Sequence, residues 1–342
     1  MATSRINSNA RLPRLLEGDQ SMGHSYFVDV GCSGGIDGHW LQFEEGLRGV
    51  GFDPLITEVE RLRAQNTIPG LKYEDAFVGY SEYENLLPKA FKENTIENKN
   101  NQWFERTSAR AYTRSKAMSY EQAVFNRGAE LVYTDRWIDL DQYCKAEGMP
   151  GLDFLKVDTD GSDIIVLLGA REQLTRFVVG VEVEAQFTGE HHPYSNTLSN
   201  IDRLMREAGL TLVDLETYRY TRAALPGRFQ YDIAAQTTQG ATQWGEAIYA
   251  RDLADPNYEK KYPLFRITPE AVLKLACFYE IYGLPDCAAE VLVQRRAILE
   301  PKWNVAALLD ALVWPGLGAG MTYEQYIKAF NEDPDRLMPS RL

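Results

Sequence analysis

Two acidic residues, and the glycine-rich turn that lies between them, form the pattern in this sequence that points most directly to chemistry. Asp29 stands near the end of an apolar run, and the small residues of the turn 31–35 follow it. A second apolar run ends in Asp53, about twenty residues past the turn. This spacing is typical of a nucleotide-type ligand that crosses the first strand-to-helix turn of an α/β sheet. The glycines let the backbone approach the ligand closely.

The turn lacks the glycine spacing of a dinucleotide site. In the pattern G-x-G-x-x-G counted from Gly31, the later glycines would replace Ser33 and Ile36. A carboxylate at Asp29, beside the turn, would repel a pyrophosphate and would suit a cationic ligand or order the loop through backbone N–H groups. S-adenosylmethionine carries a sulfonium and an ammonium but no phosphate, so the residues favour this cofactor. The alternative is a tight turn of an ordinary α/β protein.

We assign the parts of this cofactor to residues at the ends of the first three predicted strands. Asp53 is placed to accept hydrogen bonds from the ribose. The complete assignment is the methionine side to Asp29, Gly31, Ser33 and Gly35, the ribose to Asp53, and the adenine to Asp75 and Ala76.

Alternating apolar runs and helical patterns place these residues on an α/β framework. The predicted strands are 26–30, 48–53, 71–77, 153–158 and 178–184. The predicted helices are 36–46, 55–65, 139–147, 162–175 and 196–208. This alternation predicts a mostly parallel, doubly wound sheet. Two further strands, at 211–217 and 246–251, predict an antiparallel hairpin at one edge of that sheet.

The remaining parts of the chain do not follow the alternation. We expect an N-terminal extension over 1–25, a cofactor-binding domain over 26–254 and a C-terminal α-helical appendage over 255–342. Dimerisation, closure as a lid and docking of a partner are all open roles for the appendage. The segment 92–119 is polar and locally basic. It is either a solvated loop or an active-site lid that holds an anionic acceptor.

Composition excludes several classes of protein. The formal net charge of −13 argues against a nucleic-acid surface, because such a surface needs a basic stripe. The four cysteines form no C-x-x-C pair, which indicates a reduced, cytoplasmic setting. Residues 1–25 lack the apolar core of a signal peptide. The longest apolar stretch, 164–170, is too short to span a bilayer.

The fourth predicted strand and the helix after it carry a longer motif. Residues 152–170 resemble the D-x-L-K-I-D-x-E-G-x-E-x-x-x-L-x-G-A stretch of the FkbM family of S-adenosylmethionine-dependent methyltransferases. Asp160 and Asp163 stand where that family usually has glutamate. Similar segments elsewhere are 26–35, 73–79, 179–187 and 243–252. The resemblance covers residues 26–252, and it implies a Rossmann-like methyltransferase fold and O-methylation of a hydroxyl on a sugar, glycolipid or polyketide-like product.

Methyl transfer to a hydroxyl needs a group that takes or shares the hydroxyl proton. Asp158 ends the fourth strand, where it could orient the acceptor, act as the base or only bond to the following turn. Glu182 and Glu184 share one face of the fifth strand, and Glu184 lies nearer the carboxyl end. His191 and His192 follow that strand as alternative bases or as exposed loop residues. Asp158 with Glu184 could also bind Mg²⁺, although no compact metal-ligand motif supports a divalent cation.

Two other functions stay open from the sequence. One is an NAD-dependent dehydrogenase, which the glycine spacing disfavours. The other is a catalytically silent binding or scaffold protein that has kept the fold and acts through the helical region 255–342. The preferred function is an O-methyltransferase for a small-molecule or glycan acceptor, and transfer to nitrogen or carbon is compatible with the same fold.

Overall fold

The computed structural model describes the ranges 6–86, 106–108, 132–189, 192–229, 236–316 and 318–337. These residues belong to two compact units. The sheet unit contains residues 26–36 and 48–251, and the helical unit contains residues 1–25, 37–47 and 252–342. The structure therefore groups residues 37–47 with the C-terminal helices, whereas the sequence predicted that this segment belongs to the cofactor-binding domain. Most of the segment 92–119 and all of His191 lie outside the described residues.

The sheet unit is built on a seven-stranded sheet in the order β3-β2-β1-β6-β7-β9-β8. Its strands are β1 (Ser25–Val30), β2 (Leu47–Asp53), β3 (Leu71–Asp75), β6 (Phe154–Val157), β7 (Gly180–Gln186), β8 (Leu210–Tyr220) and β9 (Ala241–Arg251). The pairs β1–β6, β2–β3 and β6–β7 are parallel, and β9 is antiparallel to both β7 and β8. The predicted Rossmann-like α/β fold with an antiparallel edge hairpin is confirmed.

The predicted third strand is divided between two sheets. After Asp75 the N–H of Ala76 donates to the Asp53 carbonyl, and the N–H of Phe77 donates to the Arg136 carbonyl. The chain thus leaves β3 and continues as β4 (Phe77–Gly79), which pairs in parallel with β5 (Trp137–Asp139). Strand β5 was not predicted from the sequence, because a strand of three residues is too short for an alternation of apolar and polar residues to be recognised.

Six described helices accompany these strands. They are α2 (Ile56–Gln65), α3 (Tyr83–Leu86), α4 (Leu140–Ala146), α5 (Asp163–Gly169), α6 (Arg171–Arg176) and α7 (Leu198–Ala208). The predicted helix 162–175 is two helices, because α5 ends where Gly169 approaches β4. A Cβ atom on Gly169 would lie 2.0 Å from the carbonyl oxygen of Gly79. Helix α7 ends at Gly209, whose φ of 90° is the left-handed glycine stop that the sequence predicts.

The two faces of the sheet differ in polarity, and this difference positions the site. One face packs against α5, α6 and α7 through buried side chains of the central strands, which are Val28, Val30, Leu155, Val157, Val181 and Val183. On the opposite face Asp29, Lys156 and Glu182 occupy paired positions on β1, β6 and β7. Because paired residues project from the same side of a sheet, these charged side chains lie in one row.

The helical unit begins with α1 (Arg11–Leu15) and a 3₁₀ helix (Trp40–Gly46). The remaining elements are α8 (Tyr258–Lys261), α9 (Pro269–Ile281), α10 (Pro285–Gln294), α11 (Arg296–Leu299), α12 (Val305–Leu312), α13 (Tyr323–Glu332) and a 3₁₀ helix (Pro334–Leu337). The predicted helix 36–46 forms only over Trp40–Gly46, as a 3₁₀ helix. Gly34 and Gly35, just before the predicted start, have positive φ values of 88° and 104° and belong to the glycine turn.

Contacts distant in sequence hold the helical unit together. The buried carboxylate of Glu280 on α9 accepts the N–H groups of Arg11 and Leu12 at 2.9 and 2.7 Å, and so caps the start of α1. The rings of Trp40 and Phe278 lie 6.0 Å apart. Helix α13 differs from its neighbours because none of its residues is buried. Among the helices of the described ranges, none combines the length and apolar composition that crossing a bilayer requires.

Candidate active site

The glycine turn after β1 is fixed to the ends of two neighbouring strands. The N–H groups of Gly31 and Cys32 both donate to the carbonyl oxygen of Phe52 on β2, at 2.9 and 3.1 Å. Gly31 has a φ of 87°, and a Cβ atom there would lie only 1.8 Å from the carbonyl oxygen of Asp158 after β6. Only glycine fits this position, so the turn lies in direct backbone contact with the residue predicted to be catalytic.

Most amide groups of the turn already donate to oxygen atoms of the protein. The N–H of Gly34 donates to Oε1 of Glu58 at 2.9 Å, and that of Gly35 donates to the Cys32 carbonyl at 2.8 Å. A pyrophosphate site needs such N–H groups to point at the ligand. The buried carboxyl groups of Asp29 and Glu58 add negative charge. The turn is therefore poorly suited to a dinucleotide and suits a cofactor that carries positive charge and no phosphate.

Asp29 and Asp158 share one cationic neighbour, Lys156 of β6. The Lys156 Nζ lies 3.8 Å from Oδ1 of Asp29 and 3.7 Å from Oδ2 of Asp158. The carboxyl group of Asp29 is buried, with 1% exposure, whereas the Asp158 side chain is 44% exposed. The buried Asp29 carboxyl group therefore lies beneath the glycine turn, whereas the Asp158 side chain is accessible to a bound molecule.

The predicted ribose and adenine residues lie together at the ends of β2 and β3, where Asp53 pairs with Asp75. Asp53 accepts the N–H of Leu55 at 2.8 Å. Its burial, with a smaller effect of Glu58, raises the pKa of this carboxyl. Asp75 forms an ion pair with Arg63 at 2.8 Å, and Ala76 is buried. The contacts of Asp53 and Asp75 orient both carboxyl groups at this edge, and their assignment to the cofactor stays a prediction.

Three glutamates extend the site along the antiparallel edge of the sheet. Glu184, Glu246 and Glu216 occupy directly paired positions on β7, β9 and β8, and we call them the glutamate row. Burial, together with the charges of Asp163 and Asp158, raises the pKa of Glu184 to about 10. Burial and the charges of Glu182 and Glu216 raise the pKa of Glu246 to about 7. At neutral pH Glu184 is thus an uncharged carboxyl that hydrogen-bonds to Asp158.

Asp163 fixes the turn that carries Asp158. The Asp163 side chain is fully buried at the start of α5. It accepts the Thr159 N–H at 2.9 Å and the Asn196 Nδ2–H at 2.8 Å. Burial raises the pKa of Asp163 to about 7. Asp160, next in the turn, has a φ of 52°, so this turn holds a conformation that non-glycine residues rarely adopt.

An aromatic pair adjoins the glutamate row on the same face. Tyr218 of β8 pairs with Trp244 of β9, and their rings stack with centroids 4.0 Å apart. The Trp244 Nε1–H donates to the Tyr220 hydroxyl at 3.4 Å. The Tyr218 hydroxyl hydrogen-bonds to Glu216 and Glu246, and burial beside their charges raises its pKa. Carboxyl and aromatic groups are therefore available side by side.

The structure brings together Asp158 and Glu184 of the predicted catalytic residues. His191 is outside the described part of the chain. His192 is described, and its Nδ1 accepts the Tyr194 N–H at 3.2 Å, which places the proton of the neutral ring on Nε2. A base must offer a lone pair to the acceptor, so this tautomer favours Asp158 over His192 as the base. The catalytic role of each residue stays a prediction.

Within the described ranges, no group of three or more His, Cys, Asp or Glu side chains is arranged to hold a metal ion. The geometry therefore gives the suggested Mg²⁺ site of Asp158 and Glu184 no support.

Several residues of the site were not predicted from the sequence. Glu58, Glu216 and Glu246 were missed because their role depends on the turn contact and on the hairpin register. The register of β8 and β9 includes shifts near Leu212 and Tyr218. Strand alternation over the two predicted edge strands is the signal that could have identified Glu216 and Glu246 as one face.

Comparison with known proteins supports the resemblance noted in the sequence. Residues 75–211 match the model of the methyltransferase FkbM domain. This part of the chain is similar to that domain. The FkbM match begins at the end of β3 and includes Asp158, Asp163 and Glu184. The sequence resemblance to this family is confirmed.

Two solved structures are similar to this chain at low sequence identity. A TehB-like SAM-dependent methyltransferase from Corynebacterium glutamicum has 11% identity and a TM-score of 0.29, with 70% of this chain and 86% of that chain covered. The N-terminal domain of EvdMO1 with SAH bound has 9% identity and a TM-score of 0.30, with coverages of 71% and 82%. No curated protein matches the chain significantly in sequence.

Proposed function

We propose that this protein is an S-adenosylmethionine-dependent O-methyltransferase that acts on a hydroxyl of a sugar, glycolipid or polyketide-like product. The observation that carries the proposal is the contact between Gly31 and the backbone of Asp158. It brings the predicted cofactor turn and the predicted base to one point at the carboxyl edge of the sheet. Ligands of open α/β sheets bind at this edge, beside the switch in strand order.

The cofactor supplies a methyl group bound to a sulfonium, and the protein holds the acceptor oxygen in line with it. In the proposed site Asp29, Ser33 and Gly35 contact the methionine side and Asp53 contacts the ribose. Asp158 accepts the hydroxyl proton while the O–C bond forms and the C–S bond breaks. Lys156 and the protonated Glu184 hold the Asp158 side chain in place.

The acceptor class is inferred from the face beside Asp158. The glutamate row offers carboxyl groups that hydrogen-bond to several hydroxyls, and the Tyr218–Trp244 pair offers an apolar surface for a ring. This combination supports a glycan or another polyhydroxylated small molecule. The net charge of −13 supports such an acceptor over a nucleic acid. We also propose a cytoplasmic location, on the basis of the four unpaired cysteines of the sequence.

Calorimetry with S-adenosylhomocysteine tests the cofactor half of the proposal. We expect saturable binding to the wild-type chain and binding at least tenfold weaker to Asp53→Ala, because the variant lacks the ribose acceptor. Absence of binding to the wild-type chain would contradict the proposal.

Methyl transfer to a panel of sugar nucleotides and glycolipids tests the catalytic half. With the best acceptor, Asp158→Asn should lower kcat by about 10²–10⁴-fold, the usual contribution of a general base. Its affinity for S-adenosylhomocysteine should stay within threefold of wild type. An unchanged kcat would remove Asp158 from the mechanism.

A binding protein without catalysis is the second candidate, because α13 presents a helix with no buried residue. The glycine turn disfavours a dehydrogenase, because N–H groups that a pyrophosphate would need already donate to oxygen atoms of the protein. Tight S-adenosylhomocysteine binding without turnover on any acceptor would favour the binding role, and NADH binding would revive the dehydrogenase.

A further inference from the structure

Glu58 occupies an unusual position for a charged side chain. It lies in the first turn of α2, with only 2% exposure. Its Oε1 accepts the N–H of Gly34 at 2.9 Å. A carboxylate is costly to bury unless it is paired and hydrogen-bonded. The hydrogen bond to Gly34 is one of the contacts that offset the cost of burying the Glu58 carboxylate.

Packing alone does not fix the middle of the turn. A Cβ atom built on Gly34 would meet no atom within 4 Å, although the φ of this residue is 88°. Gly31, by contrast, lies directly against Asp158. The Gly35 N–H closes the turn onto the Cys32 carbonyl at 2.8 Å, and the hydrogen bond to Glu58 fixes the N–H of Gly34 itself.

Glu58 is itself fixed from its own helix. The Arg61 Nε–H donates to Oε2 of Glu58 at 2.6 Å, and an Nη2–H of Arg61 donates to Oε1. Arg61 is held in turn by a hydrogen bond from Nη1 to Oε1 of Gln65 at 2.6 Å. This bidentate pair leaves the Glu58 carboxylate little rotational freedom, so its orientation toward Gly34 is set before any ligand arrives.

We propose that Glu58 is a positioning residue that holds the glycine turn in its cofactor-binding conformation, and that Arg61 orients it. The inference rests on the proposed function, since the turn is taken as the methionine side of the cofactor site. Glu58 acts through Gly34. By engaging the Gly34 amide, it also removes a donor that a phosphate-bearing ligand would use.

The test compares variants that differ in the acceptor atom at position 58. Glu58→Leu removes the acceptor, whereas Glu58→Gln keeps an oxygen that the Gly34 N–H can bond. Asp141→Ala is the matched control for stability. Asp141 accepts the N–H groups of Glu172 and Gln173 at 2.8 and 3.0 Å in the same sheet unit, and it has no role in the proposed cofactor or acceptor site.

Calorimetry with S-adenosylhomocysteine should show at least tenfold weaker binding for Glu58→Leu. Glu58→Gln and Asp141→Ala should stay within threefold of wild type. Binding by Glu58→Leu within twofold of wild type would overturn the inference. Equal losses in Glu58→Leu and Asp141→Ala would also overturn it, because the effect would then be general destabilisation.

Amide hydrogen exchange gives a readout that needs no ligand. Residues 31–36 should exchange at least tenfold faster in Glu58→Leu than in wild type, with rates near wild type in Glu58→Gln. If the wild-type chain binds no S-adenosylhomocysteine, the proposed function fails, and exchange alone then decides whether Glu58 positions the turn. Unchanged exchange in Glu58→Leu would overturn that role.

Discussion

Gly31 and Gly34 have nearly the same backbone conformation but different surroundings. Their φ values are 87° and 88°. A Cβ atom on Gly31 would lie 1.8 Å from the Asp158 carbonyl oxygen, whereas one on Gly34 would meet nothing within 4 Å. Alanine at Gly34 would therefore carry only the cost of a left-handed backbone, whereas alanine at Gly31 would carry that cost and a steric clash.

We predict that Gly34→Ala costs about 1–2 kcal/mol of unfolding free energy, the price of a left-handed non-glycine residue. Gly31→Ala should cost at least about 2 kcal/mol more, because the clash forces β1 and β6 apart at the site. Denaturant unfolding of both variants measures the difference. Equal costs would mean that the contact between Gly31 and Asp158 is not close.

The raised pKa of Glu184 predicts a dependence of stability on pH. In the unfolded chain this carboxyl ionises near its ordinary value of 4.5, and in the folded protein near 10. Between these values the folded state holds a proton that the unfolded state has released, so stability falls as pH rises. The contribution of Glu184 to the free energy of unfolding is fully present below pH 4.5 and is lost progressively as the pH rises toward 10.

Glu184→Gln replaces the protonated carboxyl by a neutral amide of similar shape. We expect it to raise the unfolding free energy at pH 8 by on the order of 1–3 kcal/mol relative to wild type, and to leave it nearly unchanged at pH 4. Thermal or denaturant unfolding across this pH range checks the effect. A gain of the same size at both pH values would contradict the ionisation argument.

At the scale of elements, the periodicity of the sequence predicted strands and helix ends that nearby residues determine. It missed features that depend on hydrogen bonds to distant parts of the chain. The strands β1, β2, β6 and β7 and the stop of α7 at Gly209 were recognisable, because apolar runs and glycine act within a few residues. The break after Asp75 was not, since it arises from hydrogen bonds to Asp53 and Arg136 on other parts of the chain.

The site was predictable to the same extent. Asp29, Asp53, Asp158 and Glu184 were predicted from their places near strand ends, and the structure puts them at one edge of the sheet, while their roles stay predictions. The glutamate row needed the pairing of β9 with both of its neighbours. Strand register is set by turns and packing over long distances, so a single sequence does not reveal it.

Helix α13 allows a prediction about an element that contributes little to stability. Phe330 on this helix is 43% exposed, whereas Leu309 on α12 is 1% exposed. Phe330→Ser should change the unfolding free energy of the helical unit by less than about 0.5 kcal/mol. Leu309→Ala should cost about 2–5 kcal/mol. A large loss from Phe330→Ser, measured by denaturant unfolding, would show that α13 is packed more tightly than its exposure indicates.

At the scale of the whole molecule, the helical unit is assembled from the beginning, an early segment and the end of the chain. His39 and Tyr282 are joined by a hydrogen bond of 3.2 Å although they stand 243 positions apart. Glu280 likewise caps a helix that starts at Arg11. The sheet unit occupies most of the chain between these contacts.

This arrangement has a consequence for biosynthesis. Residues 39 and 40 leave the ribosome before the sheet unit is complete, but their aromatic partners Phe278 and Tyr282 emerge only after the whole sheet unit has been translated. At about 5–20 residues per second, 243 positions correspond to a delay of roughly 10 to 50 seconds. During that interval the buried ring of Trp40 is a nascent apolar surface, and the packing around this ring is completed only after Phe278 and Tyr282 have left the exit tunnel.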